Sequence, residues 1–127
     1  MPHLPPGPVS AVESFAASIG IAAAPDGDGC YSFEFEESGR LSVLASEDGE
    51  RVLVSLSRPI LLSDLVGTGA ALAAGGYDAA SGMFLRAGLT RDGRPVLALD
   101  APARGFDLPM LDGAFGTLRA AFADVGL

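Results

Sequence analysis

Lysine and tryptophan are absent from this 127-residue chain, and cysteine and histidine occur once each, as Cys30 and His3. A lone cysteine forbids an internal disulfide, and with a single histidine beside it there is no ligand set for a structural zinc. Nucleophilic devices that pair Ser or Cys with His need the base held in place, and His3 stands in a proline-rich segment that offers no such support. A Ser–Lys device is excluded outright. No apolar run approaches the roughly 18 residues of a membrane span. The longest weakly polar stretch, 66–77, is mostly Ala and Gly. Positive charge is scarce as well: eight arginines stand against sixteen acidic residues, for a net charge of −8. That balance repels phosphate backbones and anionic lipid, which argues against nucleic acid and membrane as partners. The opening Met-Pro-His-Leu-Pro-Pro-Gly-Pro has no basic region, and Glu13 and Ser14 interrupt the apolar stretch after it. No export signal is read there, and the expected location is cytoplasmic.

A hydrophobic share of 49% supplies a core, and the length suits one domain. Residues 1–9 read as a flexible proline-rich arm and 10–127 as a single folded unit. Ser10 stands three residues before Glu13, the spacing of reciprocal helix capping, and Val12, Phe15, Ala16 and Ile19 follow at helical spacing. A helix is expected over 10–19. After the Asp26-Gly-Asp-Gly turn the period becomes two, with Tyr31, Phe33 and Phe35 on one side and Ser32, Glu34 and Glu36 on the other. Leu41 and Val43 continue the alternation, and Asp48-Gly49 predicts a two-residue hairpin leading to Val52, Val54 and Leu56. Residues 60–74 read as a leucine-rich helix weakened by Gly67 and Gly69. Two strands, 83–89 and 96–99, flank Arg91-Asp92-Gly93-Arg94. Asp107 and Pro109 then open a C-terminal helix with Leu108, Leu111, Phe115, Leu118, Phe122 and Val125 along one face. The order helix, three strands, helix, two strands, helix defines an α+β domain with an antiparallel sheet.

Motifs for chemistry fail on inspection. Asp26, Asp28 and Glu37 imitate a calcium loop, but Tyr31 occupies the position that needs Gly, and a strand follows where a helix belongs. Gly67-Thr-Gly69 starts like a dinucleotide fingerprint and then has Leu72 in place of the third Gly. Glu34 and Glu36 lie on one strand face, whereas carboxylates that work as acid and base oppose each other across a cleft. No metal, cofactor or catalytic residue is expected.

The ordered pattern resembles the class I type III secretion chaperones, the family of the Tir chaperone. Val12-Glu-Ser-Phe15-Ala-Ala-Ser-Ile19-Gly-Ile21 looks like that family's opening helix, and Asp28-Gly-Cys30-Tyr-Ser-Phe33 like its acidic turn into the first strand. Leu61-Leu62 through Leu72-Ala73-Ala74 resembles its second helix, Gly82-Met-Phe84-Leu-Arg-Ala the next strand, and Leu108 to Val125 the closing helix. The resemblance implies a cytoplasmic homodimer, without catalysis, that binds the N-terminal segment of a secreted effector in extended form and keeps it export-competent. Val12, Phe15, Ile19, Tyr31, Phe33 and Phe35 are then the expected partner-binding residues. Leu62, Leu65, Val66 and Leu85 are expected at the two-fold contact. Two other readings are a small-ligand module or enzyme on a similar frame, using Glu34 or Glu36, and a regulatory adaptor that sequesters another bacterial protein.

Overall fold

Alternation of apolar and polar residues with period two builds most of this molecule. In the computed structural model, which describes residues 3–60 and 65–127, it produces six strands: β1 (Tyr31–Phe35), β2 (Gly39–Ala45), β3 (Arg51–Ser57), β4 (Gly76–Asp78), β5 (Met83–Leu89) and β6 (Pro95–Pro102). They form one antiparallel sheet in the order β1-β2-β3-β6-β5-β4. Three helices complete the α+β fold: α1 (Pro6–Ser18), α2 (Leu65–Ala73) and α3 (Leu108–Asp124).

Register places like with like across the sheet. Phe33 pairs with Leu41, Leu41 with Leu56, and Leu56 with Leu97, while Tyr31, Val43, Val54 and Leu99 form the next row. These residues are buried with Val12, Phe15 and Ala16 of α1 and Leu111, Ala114, Leu118 and Phe122 of α3. Full burial of each Val, Leu or Phe among them contributes roughly 1.5–3 kcal/mol. One alternate row is polar and small, through Ser32, Ser42, Ser55, Ala98 and Arg86, and the next runs Leu44, Leu53 and Asp100. A one-residue slip would exchange the two sets, so the pattern itself fixes the register.

The expected α+β order is present, with changes at three places. First, α1 begins at Pro6, before the expected start at residue 10, and Leu4 and Pro8 are buried. Proline fits a first helical turn, whose N–H groups lack intrahelical acceptors in any case. Ser10 consequently lies inside the helix, and no side chain caps its start. Second, the Asp48-Gly49 turn has positive φ at Gly49 alone. Asp48 instead accepts hydrogen bonds from Ser46 Oγ at 2.6 Å and Glu50 N at 2.9 Å, which close a longer loop and hold its carboxyl below the usual pKa. Third, the Gly75-Gly76 break carries the short strand β4, and Gly76 itself has φ +113°. Part of the expected 60–74 helix, residues 61–64, lies outside the described residues. At α3 the expected cap forms: Asp107 accepts from Met110 N at 3.0 Å.

Candidate partner-binding surface

Helix α1 delivers Phe15 to the sheet where β1 delivers Phe33 and Phe35, and α3 adds Phe115. Phe15 meets Phe33, Phe35 and Phe115 edge-on, with ring centres 5.3, 6.4 and 6.0 Å apart. Phe35 and Phe115 stack at 5.0 Å, both half-buried. Quadrupole attraction favours these geometries by about 0.5–1.5 kcal/mol per pair beyond simple burial. The cluster lies at β1, an edge strand of the sheet. Ile19 and Ile21 stand exposed just past the end of α1.

The six residues expected to face a partner therefore divide. Val12, Phe15, Tyr31 and Phe33 are buried in the chain's own core. Phe35 is half-buried and Ile19 is exposed. Sequence reasoning passed over Phe115 as one more member of the α3 stripe; only the packing of α1 against α3 turns it toward the open edge.

A second apolar area lies at the far edge of the sheet. Tyr77 of β4 and Phe84 of β5 are cross-strand partners, 70% and 63% exposed. Leu72 and Leu89 are exposed nearby in sequence, on α2 and β5. Leu85, expected at a two-fold contact, is 2% exposed and faces the chain's own interior; alternation along β5 turns its neighbour Phe84 outward instead. Leu62 lies outside the described residues. Leu65 and Val66 fall at the start of α2.

Charges on the sheet are mostly spent on one another. Glu34 pairs with its cross-strand neighbour Arg40 at 2.6 Å, and Glu36 lies beyond the end of β1, so the two carboxylates do not share a strand face. Asp100 of β6 accepts from Arg51 Nε at 2.9 Å and lies 3.5 Å from Arg86. The Arg51 hydrogen bond holds the Asp100 carboxyl below the usual aspartate pKa. Cys30 is free and half-buried beside Ser32. Among the described residues no group of three or more His, Cys, Asp or Glu could hold a metal ion, and no helix is long and apolar enough to cross a membrane.

This arrangement of helices over an antiparallel sheet is the fold of the type III secretion chaperones. The chain superposes on the Yersinia pestis secretion chaperone SycH, solved with a stable fragment of YscM2, at a TM-score of 0.66 and 14% identity, covering 92% of this chain and 98% of that one. It matches the HopA1–SchA chaperone–effector complex at a TM-score of 0.66 and 18% identity, covering 91% and 90%. The ExoU–SpcU complex of the Pseudomonas aeruginosa type III secretion system gives 0.59 and 18%, covering 90% and 93%. No protein-family model and no curated protein sequence matches the chain.

Proposed function

We propose that this protein is a type III secretion chaperone: a homodimer that binds the N-terminal segment of an effector in extended form and keeps it soluble for export. The observation that carries this reading is the likeness over nine-tenths of the chain to chaperones solved with their partners. The surface supports it. An extended peptide can add main-chain hydrogen bonds along an edge strand while apolar side chains seat beside it. Here the β1 edge carries Phe35 stacked on Phe115, and Ile19 and Ile21 are exposed just past α1, the helix that brings Phe15 to the same cluster. The exposed Tyr77–Phe84 pair at the opposite edge is the surface proposed for the second copy, together with the start of α2. The role is binding, without catalysis, and a net charge of −8 suits a basic or neutral cargo segment. The cytoplasm, where an effector awaits export, is its proposed location.

The deciding experiment is affinity capture from the source organism under secretion-inducing conditions, followed by truncation of the captured protein. The expected result is one abundant partner held through a short N-terminal segment, with retention at least ten-fold lower for the Ile19→Asp, Ile21→Asp double variant. Retention through some other region of the partner, or indifference to the double variant, overturns the reading.

A further inference from the structure

Four of the eight arginines, Arg40, Arg51, Arg86 and Arg94, make the ion pairs found among the described residues. Arg58 and Arg119 make none of these, and they converge on one cleft of about 420 Å³ between the second half of α3 and the turn joining β1 to β2. Small residues on α3 open it: Gly116, Ala120 and Ala123 recur at helical spacing along its floor.

The Arg58 guanidinium is held before any ligand arrives, and that of the exposed Arg119 rests on an aromatic ring. Arg58 follows β3; its N–H donates to the Pro95 carbonyl at 3.0 Å and its Nη1 to the Ser38 carbonyl at 2.9 Å. Its guanidinium carbon lies 4.9 Å from the centre of the Phe122 ring. Arg119 lies over Phe115 at 5.0 Å. Held groups lose little rotamer freedom on binding, which favours capture. Arg58 is also short of partners, for its Nε is buried without a hydrogen bond. Burial, and then the charge of Arg119, lower its pKa, yet a guanidinium stays protonated at neutral pH. The like charges of Arg58 and Arg119 repel each other modestly across the cleft, and an anion between them would relieve this. Glu37 lies at the rim but pairs with neither.

We propose that this cleft is an anion site that takes a single carboxylate group between Arg58 and Arg119. Planar carboxylate oxygens match guanidinium donors. The Glu37 carboxylate at the rim and the excess of acidic residues disfavour a multiply charged phosphate. The site stands on the cleft alone and is independent of the chaperone reading.

The test is a titration of the full chain, labelled with nitrogen-15, followed at the arginine Nε–H resonances. Sodium acetate is compared with sodium chloride at equal ionic strength, and with a blocked Gly-Glu-Gly peptide. Saturable shifts at Arg58 and Arg119 with acetate are expected. Affinity should fall at least five-fold in Arg119→Gln and stay unchanged in Arg91→Gln, which alters an exposed arginine of the β5–β6 turn. Tighter binding of the peptide than of acetate would support a polypeptide side chain as the natural ligand; equal or weaker binding would support a small free carboxylate. Non-saturating shifts that chloride reproduces, or full affinity in a folded Arg119→Gln variant, overturn the proposal.

Discussion

Gly39 and Gly49 both have positive φ, at +104° and +73°, but their surroundings differ sharply. A Cβ at Gly39 would lie 1.9 Å from the Ser57 carbonyl oxygen on the neighbouring strand, whereas one at Gly49 meets nothing within 4 Å. Gly39→Ala should therefore destabilise by about 3 kcal/mol or more, combining backbone strain with a clash that only strand separation can relieve. Gly49→Ala should cost only about 1–2 kcal/mol, for the left-handed conformation itself. Urea denaturation of both variants checks the contrast. Asp100 gives the pH dependence. Its carboxyl is held below the usual value, chiefly by the Arg51 hydrogen bond, so its contribution is fully present above the unfolded pKa near ~3.9. It fades as the pH falls through the lower folded value. Asp100→Asn should cost about 1 kcal/mol at pH 7, since Arg51 is nearly half exposed, and should make stability less sensitive to acid. Thermal melts at pH 7 and pH 3 measure both effects.

At the scale of elements, the two long helices start by different means. Asp107 caps α3 by accepting from Met110 N, and Asp107→Ala should remove about 1 kcal/mol. Ser10 has the sequence pattern of a cap but sits inside α1, exposed and with no capping bond, so Ser10→Ala should change stability by less than about 0.5 kcal/mol. Chemical denaturation of the pair distinguishes a functioning cap from an apparent one. Sequence reading succeeded at α3 because a single strong apolar stripe and a single acceptor agree. It failed at α1 because prolines before Ser10 looked like breakers, and their tolerance in a first turn became decisive only once burial of Leu4 and Pro8 favoured extending the helix.

For the whole molecule, the proposed assembly turns on two adjacent residues. Phe84 is exposed and Leu85 is buried. In the proposed dimer, Phe84→Asp should leave the chain folded and shift the mass measured by light scattering from twice 12.8 kDa to a single copy. Leu85→Ala should instead cost about 2–5 kcal/mol in unfolding free energy, as expected for a cavity in a packed core. A dimer that survives Phe84→Asp would remove the β4–β5 edge from the interface.

What the sequence determined by itself was the sheet and its register. Leu41 and Val43, Val54 and Leu56, and Leu97 and Leu99 recur at every second position along their strands, and a period of two admits one buried face. It also determined the closing helix and the likeness to secretion chaperones. Only the tertiary structure decided which apolar residues are free to meet a partner. Val12, Phe15, Tyr31 and Phe33 have the same chemistry as Phe35 and Ile19, yet the first four are enclosed and the last two reach the surface. Hydrophobicity makes burial favourable for all six, and the limited area of two helices laid over a six-stranded sheet leaves some uncovered. The convergence of Arg58 and Arg119, 61 residues apart in sequence, has the same origin: no local pattern relates them, and the packing of α3 against the end of β3 brings them to one cleft.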